Sequence, residues 1–330
     1  MNKKVIEKIM IVAGVVLGTV LPLFADPTVT DVVAKQRYPW NGLVDITCTV
    51  SGINAESDNS FVVAAVMPDS GNARKVSQFW VVRNGTNSTD WTVSANGTYK
   101  LLWDAKADLG QVAYDNMVMR VTVKTRNKVQ LWEGGPYWAE TNIGAEVPWE
   151  YGYYFWWGDT VGYRRENNAW VAADGSTSNF LFNNGNTPTY GKGTAELLTA
   201  GYIDSTGNLV AAHDAATAHL GSPWRMPTYA EISALISNCT TTWITTNGVS
   251  GRLVTGKNNY ADRSIFFPAA GRGGSSYFHE SGSKGGCWSS TLGPTSSNYA
   301  GSLGLDSSNF RGGYTHCASG LSVRPVRDAH

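Results

Sequence analysis

Along the first third of the chain, apolar and polar residues take turns. Val44-Asp45-Ile46-Thr47-Cys48-Thr49-Val50 is apolar at every second position, the period of a strand with one buried face. Met117 to Thr125 repeats it, with Met119, Val121 and Val123 set against Val118, Arg120 and Thr122. Phe61–Val66, Phe79–Val82 and Gly97–Trp103 add shorter runs, and Pro68-Asp69-Ser70-Gly71 is a turn cluster. Short strands with turns between them predict a β-sandwich over 27–126. It is immunoglobulin-like in architecture only, because the Cys…Trp…Cys spacing of antibody domains is absent.

Past the polar junction Arg126-Asn127-Lys128 the pattern changes. Leu131 to Trp138 opens a half rich in glycine and aromatic residues, and Tyr151 to Gly158 reads YGYYFWWG. A continuous exposed aromatic surface of that size would aggregate, so these rings are expected in a core, with a carbohydrate-stacking platform as the alternative. Asn167 to Gly207 lacks apolar periodicity and is predicted as a long surface insertion. Two helices follow. Ala211–Leu220 is alanine-rich and stopped by Gly221-Ser222-Pro223. Thr228 with Glu231 three residues on forms a capping box that opens Tyr229–Ser237, where Ile232, Leu235 and Ile236 share one face. Strands return at Trp243–Thr245, Gly251–Thr255 and Ser264–Phe267.

The whole is thus expected to be α+β: a sandwich, then a mixed domain over 129–328. Composition narrows what it does. Lys+Arg and Asp+Glu are both 26, so there is no basic surplus to release counterions from a nucleic acid. Charged residues make up 16% of the chain beside 36 glycines and 13 tryptophans, which suits a loop-rich extracellular fold. Lys3 and Lys4 precede an apolar run from Ile9 to Phe24, bounded by Asp26-Pro27. This is the pattern of a secretory signal ending at Ala25, so export is expected, to the periplasm, the cell surface or the medium. An uncleaved membrane anchor is the alternative. None of the four cysteines forms Cys-x-x-Cys. Cys48 and Cys239 read as buried thiols; Cys287 and Cys317 could bridge if their strands are neighbours.

The order of landmarks is specific. Pro223-Trp224-Arg225-Met226-Pro227-Thr228 introduces the capped helix, Ile265-Phe266-Phe267-Pro268-Ala269-Ala270-Gly271 follows, and Trp288-Ser289-Ser290 and Ser322-Val323-Arg324-Pro325-Val326 close the chain. From about Val129 to Asp328 this resembles the Fibrobacter succinogenes major paralogous domain, a C-type-lectin-like fold of the formylglycine-generating-enzyme subtype. It is similar as well to the variable proteins of diversity-generating retroelements, in which the segment between the last two landmarks presents a ligand-binding face rewritten at adenines. The resemblance implies exposed positions at Arg272, Gly274, His279, Lys284, Gly286, Cys287, Gly301, Ser302 and Gly304, continuing through Arg311, Gly313, Tyr314, Thr315, His316 and Ala318. Alternation independently sets Leu303 and Leu305 opposite Ser302 and Gly304, so the leucines anchor a sheet while their neighbours point outward. Tyr, Ser, Gly and Asn are also favoured in antibody loops, where they combine contact area with adaptability.

Catalytic templates do not fit. The formylglycine-generating chemistry would need two close cysteines, whereas Cys287 and Cys317 are 30 residues apart. His213 and His219 stand at i and i+6, on different sides of a helix. His279 and Glu280 have no fixed partner, Gly271-Arg272-Gly273-Gly274 lacks the Lys-Ser/Thr of a phosphate loop, and no G-x-S-x-G occurs. Asp306, Asn309, Asn258 and Asp262 could offer oxygens to calcium, without diagnostic spacing, and no cofactor is expected. The sequence reads as an exported, non-enzymatic protein that recognises an extracellular protein or glycan. A secreted enzyme and a structural cell-surface component are the alternatives.

Overall fold

The computed structural model describes residues 27–53, 57–66, 73–76, 78–110, 118–274, 278–294 and 298–329. The expected signal segment 1–25, the Pro68–Gly71 turn and Met117 lie outside them. Strand content is 47% and helix content 13%, so the fold is a β-dominated α+β arrangement of several small sheets. No helix among the described residues is long and apolar enough to cross a membrane.

The N-terminal part contains β1 (Thr28–Gln36), β2 (Leu43–Ser51), β3 (Asp58–Val66), β4 (Ala73–Lys75), β5 (Phe79–Arg83), β6 (Thr86–Ser88), β7 (Gly97–Asp104) and β8 (Val118–Arg126). They form two antiparallel sheets, ordered β1-β2-β7-β5-β6 and β4-β3-β8. The alternation in the sequence supplies the inner faces. Val44, Ile46, Cys48 and Val50 of β2 meet Phe61, Val63 and Ala65 of β3 and Met119, Val121 and Val123 of β8 in one core, with Trp103 fully buried among them. A short helix, α1 (Ala105–Leu109), follows β7; the Asp104 side chain accepts from Ala107 N, and Gly110 closes the helix at φ 75°.

The chain continues through β9 (Lys128–Gln130), β10 (Tyr137–Ala139) and a hairpin of β11 (Tyr163–Glu166) and β12 (Ala169–Ala172). Helices α2 (Thr194–Thr199), α3 (Ala215–Leu220) and α4 (Tyr229–Asn238) precede β13 (Cys239–Thr246), β14 (Val249–Gly256) and β15 (Ser264–Pro268). A small hairpin of β16 (Arg272–Gly273) and β17 (Phe278–His279) leads to the sheet β18 (Lys284–Leu292), β19 (Tyr299–Asp306) and β20 (Phe310–His316). The last strand, β21 (Val326–Arg327), returns to pair with β10. None of the buried clusters of this half shares a residue with the sandwich core.

Helix α4 begins where its capping box predicts: Thr228 Oγ1 accepts from Glu231 N, and a Glu231 carboxylate oxygen accepts from Thr228 N. Of the YGYYFWWG run, Tyr154, Phe155 and Trp157 are buried and the other rings half-buried, so the run is chiefly core.

Three expectations are corrected. The segment 167–207 is not a surface insertion: Trp170, Phe182, Leu197 and Ile203 are buried, each plugging the core singly from a turn or short element, which leaves no period to read. Ala211–Leu220 is not one helix. Asp214 interrupts it and caps α3 by accepting from Thr217 N, while its other oxygen accepts from Met226 N. Cys287 and Cys317 are not bridged, because β19 lies between β18 and β20 and the two thiols sit in different buried clusters. Burial pushes the Cys48, Cys239 and Cys287 thiols up to about 11 and Cys317 up to about 12. The thiolate is the reactive form. A disulfide-exchange reagent should therefore find no fast-reacting thiol in the native protein, and all 4 in denaturant without added reductant. Recovery of only two would restore the bridge.

Candidate ligand-binding face

Directly opposed residues of an antiparallel sheet point to the same side, so the register of β18-β19-β20 assigns every side chain to a face. Leu303 lies opposite Cys287 and Gly312, Leu305 opposite Phe310, Gly301 opposite Tyr314, and Tyr299 opposite His316. These share the side that packs on α4. Ser302 lies opposite Trp288 and Gly313, Gly304 opposite Gly286 and Arg311, and Ala300 opposite Thr315; these share the other side. The expected binding residues are thus divided. Tyr314 and His316 point one way, while Arg311, Gly313 and Thr315 point the other from the same edge strand.

On the α4 side, Leu303 and Leu305 are buried against Ile232 and Leu235, the anchoring expected of them. Further along, the sheet becomes an aromatic ledge. The Tyr314 ring stacks on Tyr229, the first residue of α4, with centroids 5.0 Å apart and planes at 21°. His316 lies 4.6 Å from the Tyr190 ring and meets Tyr299 edge-on at 5.6 Å. Tyr299 is 41% and Tyr314 43% exposed. Glycine makes room for the stack: a Cβ at Gly301 would come within 2.8 Å of the Tyr229 ring, and one at Gly312 within 2.9 Å of its hydroxyl. Desolvation holds His316 below the usual imidazole range, so it joins the ledge as a neutral ring at neutral pH.

The opposite side is open only near β20. A Cβ at Gly313 would meet nothing within 4 Å, and one at Gly304 only the Arg311 carbonyl at 3.8 Å. Arg311 is exposed and Thr315 half-buried. Nearer β18 the returning chain covers the sheet: Cys317 and Leu321 share a buried cluster with Trp288 and Ala300. That cover overturns the expected exposure of several positions. Ser302 is 3% exposed, with its hydroxyl 2.8 Å from Thr315 Oγ1. Gly286 lies under Leu321, Ala318 is buried within the returning chain, Cys287 is buried on the α4 side, and Gly301 is buried beneath Tyr229.

A second group stands apart. Arg272 is opposite His279 in the β16–β17 hairpin, beside half-buried Gly274, and exposed Lys284 binds the Glu280 carboxylate at 2.6 Å. Lys284 is opposite Asp306, at the far end of β19 from Tyr299, roughly 24 Å along an eight-residue strand. Arg272, Gly274, His279 and Lys284 therefore do not join the ledge. Conversely, Tyr229, Tyr299 and Tyr190 belong to it and were missed in the sequence. Only Tyr299 carried a signal, two residues before Gly301 and hence on its side of the strand.

The residues weighed for catalysis do not converge among the described residues. Cys287 and Cys317 are buried and separated by a strand. His213 stacks on Tyr202 at 3.8 Å, and His219 Nε2 lies 3.0 Å from the Thr160 carbonyl. Asp159, fully buried and pushed up to about 7 by desolvation, accepts from Val161 N and Gly162 N, a turn-building role. A cleft of about 1290 Å³ between the two parts is lined by Glu140, Trp149, Tyr153 and His219 but includes no cysteine, nor Asp159 or Asp214. Among the described residues no three His, Cys, Asp or Glu side chains stand close enough to share a metal ion. Of the candidate calcium donors, Asp306 and Asn309 are engaged with each other: Asp306 accepts from Ser308 N, Asn309 N and Asn309 Nδ2, closing the β19–β20 turn. Comparison with family models, with curated proteins and with solved structures returned no match, so the functional reading rests on this chain's own geometry.

Proposed function

We propose that this is an exported binding protein, an immunoglobulin-like sandwich followed by a C-type-lectin-like domain, that recognises an extracellular protein or glycan through the aromatic ledge at β19 and β20. One observation carries the reading. Tyr299 and Tyr314 stay exposed while Tyr229, Tyr190 and His316 brace them, and glycines at 301 and 312 keep the braces in place. Rigid exposed tyrosine offers contact area at low entropic cost, the property that makes it an interface anchor. Recognition then proceeds by complementarity, with no bond chemistry.

The likeness to variable retroelement proteins acquires a physical limit. Gly304 and Gly313 have room for a side chain, and Arg311 and Tyr314 are exposed, whereas a Cβ at Gly301 would strike Ser289 Oγ and the Tyr229 ring and one at Gly312 the Tyr229 hydroxyl. A nearby copy of the coding segment that differs only at adenines should therefore spare those two codons. The binding test is a screen of the full chain on protein and glycan arrays. Tyr314→Ala is expected to weaken the selected ligand by about 2 kcal/mol, some 30-fold. Affinity unchanged in both Tyr314→Ala and Tyr299→Ala would remove this site.

A further inference from the structure

The sandwich carries an exposed aromatic pair of its own. Tyr38 is 86% and Trp40 57% exposed, in the loop that joins β1 to β2. Of the 13 tryptophans, all within the described residues, Trp40 alone is exposed; the others are buried or half-buried. The two rings meet edge-on, with centroids 6.1 Å apart and planes at 83°, so they form a corner facing solvent.

The base of this loop is held firmly. Arg37 donates from Nε and Nη2 to both oxygens of Asp45, at 2.8 and 2.7 Å, and Arg37 N donates to the Leu43 carbonyl. Asn41 Oδ1 accepts from Leu43 N, and the Gly42 carbonyl accepts from Ala105 N. Gly42 sits at φ 85°, and a Cβ there would come within 2.5 Å of Lys106 Cβ, so only glycine lets the loop seat against α1. The rings are therefore presented from a fixed frame.

We propose that Tyr38 and Trp40 form a second ligand site, distinct from the β19–β20 ledge, that takes a pyranose ring of an oligosaccharide. The surroundings select this class. Arg37 and Asn41 flank the pair in sequence and Lys106 lies where the loop seats on α1, all of them exposed, so the apolar surface of the loop is small: the two rings with exposed Pro39 between them. A stable protein interface covers about 800 Å² on each partner around an apolar centre, far more than two rings supply. An equatorially substituted pyranose needs only what is present. Its axial C–H bonds make a flat apolar face for the indole, and its hydroxyl oxygens accept from the Lys106 ammonium and from the Asn41 amide nitrogen.

The test uses the full chain titrated with β-1,4-linked hexasaccharides of glucose, xylose and N-acetylglucosamine. At least one should shift tryptophan emission to shorter wavelength, protect it from acrylamide and give saturable heat by calorimetry. Trp40→Ala and Tyr38→Ala should each weaken that binding by about tenfold or more, Trp40→Phe should retain most of it, and Tyr314→Ala should leave it unchanged. Both rings are exposed, so the variants should keep the parent's near-ultraviolet dichroism apart from the deleted ring. The proposal is overturned if none of the three sugars binds, or if binding survives Trp40→Ala. It is equally overturned if vesicles of phosphatidylcholine and phosphatidylglycerol move the Trp40 emission where the sugars do not, which would make the loop a membrane contact. Loss of sugar binding in Tyr314→Ala alone would transfer the site to the ledge.

Discussion

Replacing Arg324 by methionine should lower the free energy of unfolding by about 4 kcal/mol, read as a fall in the urea midpoint at unchanged slope. Arg324 is 0% exposed and donates to no carboxylate, the Glu140 side chain acting on its charge only from a distance. Its guanidinium donates from Nε to Asn142 Oδ1 at 2.9 Å, from Nη1 to the carbonyls of Ala139 and Glu140 at 3.2 and 2.7 Å, and from Nη2 to the Phe266 carbonyl at 2.9 Å. It also lies 4.5 Å over the Phe267 ring. Burial lowers it to about 10, still protonated at neutral pH, so a full charge is held by amide dipoles and a ring face. Methionine nearly matches its length but donates nothing, which leaves three carbonyls and an amide oxygen buried without partners. Each such group costs about 1–3 kcal/mol, partly offset by the charge that no longer needs desolvation. A loss below about 1 kcal/mol would mean that water reaches those carbonyls and that Arg324 does not tie its segments together.

Asp58→Ala is expected to cost about 3 kcal/mol, with the effect spread over both parts of the molecule. Asp58 Oδ1, on β3 of the sandwich, takes Lys128 Nζ at 2.6 Å and Arg327 Nη1 at 2.7 Å. Lys128 belongs to β9 and Arg327 to β21, so one carboxylate fastens the sandwich to the first and last strands of the following half. The Asp58 side chain is 8% exposed, and those of Lys128 and Arg327 are 23% and 13% exposed. Removing the single acid leaves two cations in a dry place. The exposed pair Arg37–Asp45, at 42% and 47%, sits in water and should be worth under about 1 kcal/mol when cut in the same way. Trypsin offers a second reading, since cleavage after Arg126 and Lys128 should speed up in Asp58→Ala if the junction opens. Unchanged proteolysis together with an unchanged urea midpoint would show that the contact of Gly221 on Trp91 and the hydrogen bond from Ser222 N to the Thr89 carbonyl hold the two parts without it.

The expectations that held were local ones. The alternation at 44–50 and 118–125 became β2 and β8, and Thr228 with Glu231 opened α4 at the expected residue, because strand period and helix capping depend on neighbours along the chain. Asp214 shows how far that logic reaches. Its side chain could have lain on a helix surface, but a cap on Thr217 N and a bond to Met226 N satisfied two backbone donors and started the α-helix at Ala215 instead of Ala211. The disulfide expectation failed for want of strand order, which no spacing encodes: Cys287 and Cys317 flank the sheet, and β19 keeps them apart.

By itself the sequence determined where strands and the capped helix lie, which leucines of β19 turn inward, and that the aromatic run would be mostly core. These follow from periodicity, turn chemistry and the cost of exposing rings. Only the tertiary structure decided which sheet positions meet solvent. Ser302 alternates correctly and yet is sealed, because Leu321 and Cys317 return across it; Tyr314 is displayed because Tyr229, far away along the chain, stands behind it. Whether a side chain is covered depends on what other segments bring to it, and residues distant in sequence settle that.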